Sequence, residues 1–223
     1  MPFRKAGAVY SKAPEGSRVD VEPLVPARYA EAGVVLARAF QNDPLWSYLC
    51  PSARGRPGQL AWMFERWARV VAPLGAGYIT CGGEGVAIWL PPEHGPDVGL
   101  WPMVRAGLVW APLRFGLGWL RRSAAIAADL ARRQRADLAE PHWILDVLGV
   151  DPDCQRSGVG SALLAPVLAR ADAEALPCYV ITHNPANVAY YGRFGFELLH
   201  MPDDHPRAIS LRRRARTRHE IPL

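Results

Sequence analysis

Lysine is almost absent from this chain of 223 residues. Lys5 and Lys12 are its only two, so no phosphate-binding loop ending in G-K-[ST] can lie beyond residue 12. Cysteine is scarce too. Cys50, Cys81, Cys154 and Cys178 form no C-x-x-C pair, which argues against a zinc ribbon and against a dithiol redox motif. A chain of this size builds its core without disulfide staples, so these read as reduced thiols of a cytoplasmic protein, and no metal site is expected. Long apolar runs are missing as well. The most lipid-like stretch, AGLVWAPLRFGLGWL at residues 106–120, contains Pro112 and Arg114. It is shorter than the ~20 apolar residues a membrane span requires, so neither a span nor a membrane partner is expected. Residues 1–17 lack the apolar centre of a signal peptide and read as a mobile leader.

A net excess of basic charge is missing from the body of the chain, although the net charge is +5. Residues 207–223 hold six arginines and one glutamate, and the remainder balances at 20 basic and 20 acidic residues. Residues 213–223 read as a solvated basic tail behind a single domain spanning 18–212. The tail has no interleaved aromatics, which argues against nucleic acid as a partner.

What is present is a mixed α/β pattern. Residues 18–24 alternate as a strand, and Pro26 opens a helix whose apolar stripe ends near Asn42-Asp43-Pro44. A helix over 59–71 precedes strands near 78–81 and 86–90, joined by the hairpin-like Gly82-Gly83-Glu84-Gly85. Residues 93–140 form a helical excursion, clearest at 124–135, carrying Trp101, Trp110 and Trp119. Core packing is expected for at least two of these tryptophans. The second half is more regular: a central strand over 142–150, a helix from Val159 containing Pro166, and a strand over 178–182. A short helix from Ala186 then leads to strands over 196–201 and 208–212.

Between the central strand and its helix lies Gln155-Arg156-Ser157-Gly158-Val159-Gly160. A helix start offers unpaired N–H groups and partial positive charge, and glycine lets an anion approach the backbone. The dinucleotide fingerprint G-x-G-x-x-G fails here, because Leu163 stands where its third glycine belongs. What remains resembles the acyl-CoA pyrophosphate loop of the GNAT superfamily of N-acetyltransferases. Residues 187–196, NVAYYGRFGF, are similar to that family's N-x-x-x-Y-x-x-x-G-F element and follow in the right order. Ala39-Phe40 with Pro44, Ala87-Ile88-Trp89 with Pro92-Glu93, and Glu140-Pro141-His142-Trp143 further resemble the puromycin N-acetyltransferase group.

The resemblance implies a GNAT fold: a mixed, mostly antiparallel sheet with splayed central strands flanked by helices. It implies acetyl-CoA as donor and CoA as product, held by the backbone of Arg156, Ser157, Gly158, Val159, Gly160 and Ser161 behind Gln155. Leu148 and Val150 would offer backbone hydrogen bonds to the pantetheine arm, and Asn187 would bind that arm or order the loop. Arg156 is either a phosphate partner or an exposed loop arginine. Tyr191 would serve as general acid, a role that suits a phenol beside a departing thiolate; a packing aromatic is the alternative.

The base is open. Puromycin-type relatives carry a glutamate where this chain has Ile181. Asp146, which interrupts an apolar strand, His142 and His183 are the candidates, each with a structural role as its alternative, and a water relay to backbone carbonyls would need none of them. His183, Trp46 and Tyr48 are candidate acceptor contacts. Neither Cys154 nor Cys178 is placed as a nucleophile, so direct attack by the amine of a small molecule is expected. Rival readings are a protein or peptide acetyltransferase, a silent acyl-CoA-binding module and an arginine-tail nucleic-acid binder; a homodimer is compatible with each.

Overall fold

The computed structural model describes residues 19–94, 98–203, 206 and 208–216. The expected leader, and the tail from residue 217 onward, lie outside them. Period-two apolar patterning becomes a single seven-stranded sheet in the order β1-β2-β3-β4-β5-β7-β6. These strands are β1 (Val21–Pro23), β2 (Ala76–Thr80), β3 (Gly85–Leu90), β4 (Trp143–Val150), β5 (Cys178–Thr182), β6 (Phe196–His200) and β7 (Ile209–Arg213). All neighbours are antiparallel except β4 and β5.

Helices cover both faces. On one lie α1 (Tyr29–Phe40) and α3 (Arg56–Val71), whose Leu36, Leu60 and Phe64 pack with Ile79, Ile88 and Ile144. On the other lies α7 (Val159–Ala173), whose Leu163, Leu164 and Val167 pack with Trp89, Leu145 and Val180. The two helical layers approach the sheet at glycines. A Cβ on Gly149 would meet Leu36 at 2.6 Å, and one on Gly85 would meet Val159 at 2.7 Å. α7 stays helical on both sides of Pro166.

The fold departs from the sequence reading in three places. Asp43-Pro44 starts a helix, α2 (Pro44–Leu49), as well as ending one: the Asp43 carboxylate accepts from the Leu45 and Trp46 amides. The excursion holds α4 (Leu100–Arg105), α5 (Ala111–Phe115) and α6 (Leu117–Asp137), longer than the 124–135 expected. The packing expected of its tryptophans fails, since Trp101 and Trp110 are exposed and Trp119 is half-buried. A last correction concerns Arg213. It belongs to β7 rather than to a solvated tail, buried and in a two-pronged ion pair with Asp172 on α7.

Candidate active site

β4 and β5 pair only over Trp143↔Cys178, Ile144↔Tyr179 and Leu145↔Val180. Beyond that point β4 stays on β3 and β5 stays on β7, so the sheet opens as a V between them. Asp146 and Ile181 are the first residues on either side of the opening. A cavity of about 400 Å³ occupies this end of the sheet. The last helix, α8 (Ala186–Gly192), closes one side and α6 another.

Asp146 stands at an irregularity in the sheet. Ile88 faces Val147 and Trp89 faces Leu145, so Asp146 is the inserted residue of a β-bulge. The bulge explains why a carboxylate can interrupt an apolar strand. Ile144 and Leu145 point to opposite cores, Val147 and Leu148 repeat that alternation, and Asp146 is left to face the cavity. The Trp67 indole N–H on α3 donates to its Oδ2 at 2.7 Å. Burial pushes the Asp146 carboxyl up to about 6, and the Trp67 hydrogen bond holds it from rising further.

Tyr191 reaches the same cavity from α8. It is buried, and burial, with smaller contributions from Tyr190 and Asp43, pushes its phenol above the usual range, so it stays protonated at neutral pH. Asn187, one turn earlier, donates from Nδ2 to the Thr182 hydroxyl at 2.9 Å. His183 is buried and lines the cavity at the end of β5. Trp46 lines it from α2, edge-on to Phe64 with ring centroids 4.8 Å apart. Leu148 lines it from β4.

The glycine loop lies further along β4, outside the cavity. Gly158 is the N-cap of α7 with φ +89°, and Arg156 also has a positive φ of 64°. Among the described residues, the backbone N–H groups of Val159, Gly160 and Ser161, in the first turn of α7, meet no carbonyl partner. That is a row of free donors at the positive end of a fifteen-residue helix. Gly160 leaves no room for a side chain, since a Cβ would sit 2.4 Å from the Tyr190 hydroxyl. Gln155 reaches back to the Val150 carbonyl at 3.4 Å, and Ser157 donates to the Cys154 carbonyl. Arg38 on α1 clamps the preceding turn, with 3.0 Å to Asp151 and 2.8 Å to Asp153. Val150 lies between loop and cavity, so β4 joins the two with a stretch of about 13 Å from Asp146 to Val150.

Two candidates fall elsewhere. His142 is held by Gln134 and the Glu140 carbonyl and packs edge-on to Tyr179, outside the cavity. Tyr48 is 41% exposed with Arg122 over its ring, and it does not line the cavity. Both have structural partners that account for them.

This arrangement matches a known family. A family model described as Acetyltransferase (GNAT) family matches residues 115–196, which include β4, the glycine loop and α8. Over these residues the chain is similar to the GNAT acetyltransferases. It is similar to an uncharacterized N-acetyltransferase of Schizosaccharomyces pombe, 26% identical over 176 residues, covering 75% of this chain and 70% of the relative. In fold it resembles the crystal structure of "histone acetyltransferase HPA2 and related acetyltransferase" from Corynebacterium glutamicum, with 23% identity and a TM-score of 0.61. That likeness covers 89% of this chain and 97% of the other. It also resembles arylalkylamine N-acetyltransferase 2 of Aedes aegypti, with 12% identity and a TM-score of 0.57 over 90% and 100% of the two chains.

A GNAT enzyme takes its acetyl group from acetyl-CoA, and the free amides around Gly158 together with the open edge of β4 fit a pyrophosphate and an extended amide-bearing arm. Sequence reasoning missed several cavity residues. Asp43 lines the cavity as well as capping α2, and burial raises its carboxyl. Its signal was the Asp-Pro pair of a helix start, read only as a helix end. Trp67 and Gln134 carried no local signal.

Proposed function

We propose that this GNAT enzyme acetylates a primary amine on a small apolar or aromatic molecule, by direct attack of the amine on acetyl-CoA. The observation that carries this reading is the cavity wall. Its lining holds two carboxylates, Asp43 and Asp146, and neither lysine nor arginine. The rest is largely apolar and aromatic, with Trp46, Trp67, Trp119 and Phe64 among it. Such a wall attracts a compact cation with an apolar body.

Each residue then has a task. The amides of Arg156 to Ser161 hold the pyrophosphate, and the β4 edge at Leu148 and Val150 hydrogen-bonds the pantetheine arm as an added strand would. Asn187, anchored on Thr182, lies beside that arm. Asp146 takes the proton that the substrate ammonium must lose; its raised basicity suits that exchange. The freed amine forms the new C–N bond as the C–S bond breaks, and Tyr191 returns a proton to the departing sulfur. Asp146 thus replaces the glutamate that puromycin-type relatives carry at the Ile181 position, from the facing side of the same opening. This supports turnover over the silent acyl-CoA module, and it is compatible with membership of the puromycin-type group.

The test is thiol release from acetyl-CoA across aminonucleosides, aminoglycosides, amino acids, simple aromatic amines and peptides. Release with small apolar amines supports the proposal. Release with peptides alone transfers it to the protein-acetylating reading.

A further inference from the structure

Apolar surface is concentrated on one segment. Leu100, Trp101, Trp110, Leu113 and Leu117 are each between 63% and 80% exposed, whereas no large apolar side chain exposed elsewhere among the described residues exceeds 54%. α4, the turn at Leu108–Trp110, α5 and α6 pack successively against one another, so these exposed side chains are clustered on one contiguous segment. Folded chains rarely leave so many large apolar groups together in water without a partner.

The charge of this segment selects the partner. From Val98 to Ala128 the sequence holds four arginines and no acidic residue. Arg105, Arg114 and Arg121 are exposed among the apolar side chains. A second copy of the chain is a poor fit, because a two-fold interface would set this arginine cluster against itself with no carboxylate in the segment to meet it. An anionic lipid surface answers both features. Tryptophan and leucine enter the headgroup boundary, while arginine keeps its guanidinium at the phosphates.

We propose that the surface formed by residues 100–121 docks on an anionic phospholipid bilayer, lying in the headgroup plane. It does not span the bilayer, since no helix among the described residues is long and apolar enough to cross one. α6 carries both roles: Leu117 and Arg121 face outward, while Trp119, Ser123 and Ile126 line the cavity. One helix thus separates the lipid from the acceptor cavity, an arrangement suited to amines that partition into the interface. The docking itself does not rest on the acetyl-transfer reading.

Flotation of the full chain with vesicles tests this, using phosphatidylglycerol–phosphatidylcholine mixtures against phosphatidylcholine alone. The chain is expected to float with the anionic vesicles and to be released as salt rises. Replacing Arg105, Arg114 and Arg121 by Gln should weaken vesicle binding on the order of a hundredfold, about fivefold for each arginine. The triple variant Trp101→Ser, Trp110→Ser, Leu113→Ser should lose it. Both variants should keep the wild-type thermal midpoint and the stabilisation given by CoA, which separates lost docking from lost folding. Absence of flotation with anionic vesicles overturns the proposal, as does flotation that both variants retain. So does a concentration-dependent dimer abolished by the serine variant without any vesicle binding, which would show that a second copy covers the surface.

Discussion

Asp146 is costly where it stands. Its carboxyl sits at a bulge in a central strand, with its pKa pushed up to about 6 by burial against an ordinary value of 3.8. The folded chain therefore binds this proton more tightly than the unfolded chain does. Below both values the proton is bound in either state and nothing is lost; as pH rises from about 4 to about 6, stability falls, by on the order of 2–3 kcal/mol in total. Asp146→Asn removes that cost while keeping an acceptor for the Trp67 indole. At pH 7.5 the variant should melt several degrees higher, by differential scanning calorimetry, while kcat/KM falls about 10²-fold or more. Trp67 gives a second test. Its hydrogen bond lowers the Asp146 carboxyl, so Trp67→Phe should raise it, and the acid limb of the kcat/KM profile should move to higher pH. An unmoved limb would mean that Asp146 is not the base.

At the scale of elements, the site depends on how turns are tied to helices. Arg38 on α1 holds Asp151 and Asp153 just before the glycine loop, and the Asp151 side chain is only 7% exposed. Arg38→Ala leaves that carboxylate without its partner, at a cost on the order of 1–2 kcal/mol given the half-exposed arginine. The dissociation constant for CoA, measured by calorimetric titration, should rise several-fold, with kcat at saturating CoA nearly unchanged. Much of this scale was legible from the sequence. The β-α-β order from β4 to β5 and the loop at Gly158 follow from local apolar periods and from glycines placed where a helix starts. The bulge was legible only as an anomaly, a carboxylate in an apolar run. α2 was missed because Asp43-Pro44 can end one helix and begin the next, and only tertiary packing shows that it does both.

For the whole molecule, the cavity was the part the sequence left hidden. Trp67 and Asp146 are 79 residues apart, and α6 joins them from an excursion whose pattern gives no address. Pairwise apolar patterning says that a helix has a buried stripe; it does not say which strand that stripe meets. The same limit explains the tryptophans. Trp101 and Trp110 have core composition but lie on an outward surface, because the sheet beneath is already covered by α1 and α3 on one face and α7 on the other. On the proposed reading, a donor groove along β4, legible in its motifs, meets an acceptor cavity assembled from distant segments at the opening between β4 and β5.

The most direct measurement is amine-dependent thiol release from acetyl-CoA, run on the wild-type chain and on Tyr191→Phe with CoA affinity measured in parallel. The account predicts release in step with acetamide formed on a small apolar amine, and a loss of about 10²-fold in kcat for Tyr191→Phe with CoA affinity retained. Tight CoA binding with no release for any amine, or release untouched by Tyr191→Phe, would contradict it.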